Sequence, residues 1–264
     1  MTTTADQSFP PGTFTPDPRP SSVPAMLAAQ YRLELTLLLR NGEQLLLTMF
    51  IPITLLVGLS VLPLGPFGDG TAARATTLLP VIMSLAVIAT AFTGQAIAVA
   101  FDRRYGALKR LGATALPVWG VITGKSLSVA TVVVLQSMLL GAIGVVLGWR
   151  PSAAGLVLGA LVIALGTACF AALGLLLGGS LRAEIVLAVA NLLWFVFGGF
   201  SALTVENELV PGAARALARL TPSGALTESL AQALAFSVDW FGLAVLAVWG
   251  VVAGFGAVRW FRFS

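Results

Sequence analysis

Histidine is absent from this chain, cysteine occurs once, and charged residues make up only 10% of the 264 positions. Without histidine there is no imidazole base, no His-ligated haem and none of the zinc sites that need imidazole. The single Cys169 excludes an intrachain disulfide and lies inside an apolar run, where a thiol is most simply a small packing residue. Carboxylates are scarce as well. Asp102, Glu184, Glu206, Glu208, Glu228 and Asp239 fall at the ends of apolar runs or between them, so neither an acid/base dyad nor a metal site is expected. No enzyme site is read in the chain.

What is present is apolar surface. Hydrophobic residues make up 58% of the sequence and the mean hydropathy is +0.96, far from a soluble domain with roughly 25% charge. A helix needs about twenty apolar residues to cross about 30 Å of hydrocarbon. Runs of that kind predict six spans near Leu45–Leu64, Leu78–Phe101, Ala115–Trp149, Ala153–Leu181, Ile185–Leu203 and Trp240–Val258. The third and fourth exceed the bilayer and are expected to tilt or project beyond it. The runs are continuously apolar, not alternating, which favours helices over a barrel and gives an all-α polytopic fold.

An even number of spans puts both termini on one side. That side then holds Arg19, Arg32, Arg40, Arg103, Arg104, Lys109, Arg110, Lys125, Arg182, Arg259 and Arg262, against Arg74, Arg150, Arg215 and Arg219 on the other. The positive-inside rule makes the termini cytoplasmic. The net charge of +4 reflects this bias, and no nucleic-acid partner is read from it. Arginine outnumbers lysine and Ala, Val and Gly are abundant, which suggests a GC-rich bacterial genome and a bacterial cell membrane.

Residues 1–24 are rich in Thr, Pro and Ser and read as a disordered cytoplasmic tail, not a signal peptide. Residues 25–43 turn helical: Leu27, Tyr31, Leu35 and Leu38 form one stripe, with Arg32, Thr36, Arg40 and Glu43 opposite. Glu34 falls on the apolar side. An amphipathic helix lying in the interface is favoured over a solvated lead-in.

Gly120-Val121-Ile122-Thr123-Gly124-Lys125-Ser126 has the look of a phosphate-binding loop, but only three residues separate its glycines where four are needed, and no strand precedes it. Lys125 is instead expected to snorkel to the cytoplasmic surface from the start of a helix. Within the spans Gln95, Gln136 and Asn191 are costly to leave facing lipid, so they either hydrogen-bond between helices or mark a transport pathway. Trp194, Phe195, Phe197 and Phe200 either anchor the outer interface or line an apolar path. Glycine and alanine are dense in the fourth span, including Gly155, Gly159, Gly166, Gly174 and Gly178, and predict close helix packing.

The conspicuous charged stretch is Asp102-Arg103-Arg104-Tyr105-Gly106-Ala107-Leu108-Lys109-Arg110. Burying its four cations in mid-bilayer would cost roughly 10–14 kcal/mol, so it lies at the membrane surface. As a helix it would put Phe101, Tyr105 and Leu108 on one face, with Arg103 and Arg110 pointing away. It is either a topology signal or a docking element for a cytoplasmic partner. Between the fifth and sixth spans, residues 204–239 are too long for a turn. Ala213–Leu220 and Ala225–Phe236 read as short helices, with Thr221 or Ser223 available as a cap.

The stretch from Asp102 through Leu111-Gly112-Ala113-Thr114-Ala115-Leu116-Pro117, followed by Gly124-Lys125, resembles the cytoplasmic coupling segment of type-2 ATP-binding cassette (ABC) permeases. Leu220-Thr221-Pro222-Ser223-Gly224-Ala225-Leu226-Thr227-Glu228-Ser229-Leu230 is similar to the short re-entrant extracellular helices of that family. The resemblance covers nearly all of the chain beyond the tail, the amphipathic lead-in included. Asp102 stands where many members have Glu, and Ala115-Leu116 delays the proline.

The resemblance implies a permease that pairs with a second one, identical or homologous, and with two nucleotide-binding subunits that hold ATP and Mg2+. This chain itself carries no cofactor. Coupling is assigned to Asp102, Arg103, Arg104, Tyr105, Gly106, Leu108, Lys109 and Arg110, and the candidate pathway to Gln95, Gln136, Asn191 and Phe195. The implied cargo is a hydrophobic or amphipathic drug- or antibiotic-like molecule moving outward, as in drug-resistance exporters. The alternatives are lipid or lipid-linked glycan export and, from another class, an ion-coupled secondary transporter. Against the last stand the lack of an ionisable residue well inside any span and of an evident inverted repeat.

Overall fold

The computed structural model describes residues 21–114, 116–205 and 210–260. The expected tail therefore lies outside the described residues as far as Pro20. The described chain is all-helical, with no strand among its residues.

Helix α1, Val23–Arg40, opens with Pro24 in its first turn and stops at Asn41, so Gly42 and Glu43 belong to the next helix and not to the lead-in. Its inward stripe follows the expected spacing, with Leu27, Tyr31, Leu35 and Leu38 half-buried, but Gln30 and Glu34 on that stripe are its most buried residues. Leu33 and Leu37 are exposed on the far side. Helix α2, Gly42–Val61, contains Pro52. Its apolar part, Thr48–Val61, is shorter than the other apolar helices.

Helix α3, Thr71–Val87, continues through a π-helical turn, Ile88–Gly94, into α4, Gln95–Arg104. The continuous helix begins seven residues before the expected Leu78, and Arg74 lies inside it, not in a loop. Arg74 is held there by its Nε bond to the Gly70 carbonyl, 3.2 Å. A short α5, Ala107–Gly112, precedes α6, Val118–Val146, which starts after Pro117 as a proline-led helix does. Helix α7, Ala153–Ser180, is capped by Ser152, whose hydroxyl accepts from the Gly155 amide at 3.0 Å. Helix α8 is Ala183–Leu203, α9 Gly212–Leu220, α10 Pro222–Leu234 and α11 Trp240–Trp260.

Among the described residues five helical stretches are long and apolar enough to cross a membrane: Thr71–Arg104, Trp119–Val146, Ala153–Ser180, Ala183–Leu203 and Trp240–Arg259. The first of these is the most buried and forms the middle of the bundle. Helix α7 packs against α11, α10, α4 and the π turn, and its glycines are where that packing is closest. A methyl group on Gly174 would stand 2.8 Å from the Phe92 carbonyl oxygen, and one on Gly178 would collide with the carbonyl of Ala96. Gly166 likewise leaves room for Leu226 of α10. Small residues thus bring backbones together where no hydrophobic force between helices exists in lipid.

Helix α10 starts earlier than expected, with Pro222 in its first turn and Thr221 as its cap, the hydroxyl accepting from the Gly224 amide at 3.2 Å. It is buried among α7, α11, α8 and α3 through Ala225, Leu226, Leu230 and Ala233. Arg219 of α9 pairs with the buried Asp239 at 2.8 Å, and the Ser229 hydroxyl donates to the same carboxylate at 3.2 Å, which closes the hairpin.

Gly178→Ala should lower stability by about 1–3 kcal/mol through overpacking, read as a lower thermal midpoint of the purified chain in detergent. Gly199→Ala, where an added methyl meets open space, should leave the midpoint unchanged. Equal midpoints for the two variants would contradict the close approach of α7 to α4.

Candidate functional site

The polar end of the bundle is organised by Lys125. Its ammonium donates to Glu34 Oε2 at 2.8 Å and to Asp102 Oδ2 at 2.7 Å. Lysine and Glu34 are 6% and 7% exposed, so Lys125 does not snorkel to the surface as expected but is enclosed by carboxylates from α1 and α4. A buried ammonium keeps its charge cheaply only with such partners. Glu34 is aimed by Gln30, whose Nε2 donates to its Oε1 at 2.7 Å. Gly124 makes the approach possible, because a Cβ there would stand 2.5 Å from Gln30 Cγ. Six residues further along α6 from Lys125, the Tyr31 and Thr131 hydroxyls meet at 3.0 Å.

The expected coupling segment is not one continuous helix. It breaks at Tyr105–Gly106, where Gly106 has φ +71°, a left-handed conformation that glycine adopts without a Cβ penalty. The break separates two kinds of residue. On one side, Asp102 binds Lys125, Arg103 donates to the Gly178 and Leu181 carbonyls at 3.0 and 3.1 Å, and Arg104 pairs with Glu184 at the start of α8. Arg103 thus places a cation on the carbonyl end of α7, where the helix dipole favours it. On the other side, Leu108 is fully buried with Val99, Val121, Leu175 and Ala257 and seats α5 against four helices.

Tyr105, Lys109 and Arg110 remain exposed. Tyr105 and Leu108 therefore do not share a face as a single helix would have required, although Phe101 and Tyr105 keep ring contact at 5.9 Å.

The candidate pathway residues are not gathered on one wall. Gln136 is buried, accepts from the Thr90 hydroxyl at 2.9 Å and donates to the Thr48 carbonyl at 3.3 Å, which ties α6 to the π turn and α2. Gln95 is buried and reaches the Ala171 carbonyl at 3.4 Å. Asn191 bonds back to the Leu187 carbonyl at 2.7 Å on the exposed face of α8, and Phe195 is 69% exposed. The aromatic cluster of α8 divides: Phe197 turns inward to Phe92 and Phe170, at 5.4 and 5.5 Å, while Phe195 turns out.

The Glu34–Lys125–Asp102 network was missed by sequence reasoning. Its signal was a carboxylate on the apolar stripe of α1 and a lysine after the glycine of α6, each without a partner nearby in sequence.

An all-helical architecture with several helices long and apolar enough to cross a membrane marks a multi-pass membrane protein. A family model for ABC-2 family transporter proteins matches residues 68–259, and the chain belongs to that family. It is a transmembrane permease component of an ABC transporter, distinct from the ATPase subunits with which the family normally works. The match takes in α3 to α11 and leaves α1 and α2 outside it. No curated protein matches the chain.

Lys125→Met should destabilise the chain by about 3–5 kcal/mol, because it leaves two carboxylates facing each other without their cation. Adding Glu34→Gln should recover part of the loss, a non-additivity that a double-mutant cycle on detergent unfolding midpoints resolves. An unchanged midpoint for Lys125→Met would mean that the ion network does not hold α1 to the bundle.

Proposed function

We propose that the chain is one half of the membrane domain of an ATP-driven exporter in a bacterial cell membrane, with both termini cytoplasmic. In this reading α2 is a sixth span, and a second permease, identical or homologous, supplies six more. The α9–α10 hairpin is a re-entrant element that shields the outer mouth. The cargo is a hydrophobic or amphipathic small molecule, since the helices offer apolar walls and, among the described residues, no ionised group near mid-bilayer. Within that pairing Asn191 and Phe195, on the outward face of α8, face the second permease across the path.

The observation that carries the proposal is the division of labour around Gly106. Asp102, Arg103, Arg104 and Leu108 are bound to α6, α7, α8 and the Leu108 cluster, while Tyr105, Lys109 and Arg110 stay exposed. A partner that grips the exposed three moves α5, and the motion passes to the helices through the bound four. The force comes from two ATPase subunits closing around ATP and Mg2+. The permease shifts between inward- and outward-facing forms only as far as that closure discriminates between them.

Affinity purification from the native membrane in mild detergent tests this directly, with ATPase activity as the readout. The unaltered chain should bring down a stoichiometric ATPase subunit. The combined Tyr105→Ala, Lys109→Glu and Arg110→Glu variant should lose more than about tenfold of it, since charge reversal at an interface removes attraction and adds repulsion. Its thermal midpoint should not change. Transport that persists without any ATPase subunit would point to ion coupling and overturn the reading.

A further inference from the structure

An apolar cavity of about 930 Å³ lies between α6 and α11, with α7 as its back wall. Both helices pack on α7, and among the described residues they make little contact with each other. Along α6 the lining runs from Ile122 to Val145, roughly 35 Å at 1.5 Å per residue, enough to cover about 30 Å of hydrocarbon. The cavity is open at its side, since Val134, Met138 and Val258 line it and are exposed. No charged residue lines it. Its wall carries the hydroxyls of Thr123, Ser126, Ser137 and Thr167, the last bonded to the Ile163 carbonyl at 2.7 Å.

One mouth of this groove is basic. Val258 lines it and is followed by the exposed Arg259. Leu175 and Ala257 belong both to its lining and to the cluster that seats Leu108, next to the exposed Lys109 and Arg110. The nearby carboxylates are engaged elsewhere, Glu34 and Asp102 with Lys125 and Glu184 with Arg104. The opposite mouth lies at Trp149 and Pro151, either side of the exposed Arg150.

From this geometry we infer that the groove holds an acyl chain of an anionic phospholipid from the cytoplasmic leaflet, with its phosphate at Arg259 beside Lys109 and Arg110. The inference rests on the side assignment made above. A flexible chain fits a long, smooth, laterally open apolar furrow, and each cation near the surface favours an anionic headgroup. The occupied groove abuts the Leu108 seat, so the lipid buttresses the segment that carries Tyr105, Lys109 and Arg110.

The test is native mass spectrometry of the full chain, purified with whatever partners it retains and exchanged into detergent containing equal phosphatidylglycerol and phosphatidylcholine. The wild type should retain phosphatidylglycerol in preference by roughly fivefold for each cation engaged. Gly254→Phe places a ring in the groove where an added Cβ meets no atom within 4 Å, and it should remove both lipids while the thermal midpoint is kept. Arg259→Gln should keep chain binding and lower the preference roughly fivefold.

Unchanged retention in Gly254→Phe, or equal retention of the two lipids by the wild type, would overturn the proposal. So would conversion of a dimer to a monomer by Gly254→Phe, which would make the groove an interface between copies. Loss of transport in that variant with lipid retention intact would assign the groove to cargo and overturn it as well. Recovery of the ATPase subunit in the same preparation reports separately on the exporter reading.

Discussion

One buried cation sets the geometry of the polar end. Lys125 sits between the buried Glu34 and the part-exposed Asp102, and the buried ammonium and the Glu34 carboxylate are tolerable in a dry setting only while paired. The three residues come from α6, α1 and α4, so satisfying them fixes the rotation of α1 against α6 and the point at which α4 ends. Everything after Asp102 inherits its position from that contact: the glycine break, the seat of Leu108 and the outward display of Tyr105, Lys109 and Arg110. The network stores little net stability, because desolvation opposes it. Its role is to fix a unique arrangement.

The rest of the bundle is held by shape. Glycines of α7 admit the carbonyls of the π turn and α4 on one side and leucines of α10 on the other. The π turn itself adds a residue to the helical path and turns Phe92 into contact with Phe170 and Phe197. These contacts bring α4, α7 and α10 close together, while α6 and α11 both pack on α7 but little on each other, which leaves the side-open groove.

In the proposed coupling, a force applied at α5 has two main routes inward. Arg103 leads to the carbonyl end of α7, and Asp102 leads through Lys125 to α6 and α1. Arg104 adds a shallower link to α8 through Glu184. Helix α1 is joined to the same network, since Glu34 ties it to the same lysine.

The sequence by itself determined the all-α membrane class, the placement of five long apolar helices, the small-residue packing of α7 and the basic segment that carries the family resemblance. These are legible because continuous apolar runs, glycine density and charge breaks are local properties that hydrocarbon forces into helices. The tertiary structure alone decided which polar side chains meet. Lys125 reads from its neighbours as a surface cation, and Glu34 as a blemish on an apolar stripe, because their partners are 91 positions apart. Likewise Asn191 and Gln136 have the same sequence signature, yet one faces outward and the other links three elements. An apolar helix shows which residues avoid water, but with hydrocarbon all around it its rotation is set by its neighbours, and only the packed bundle fixes that.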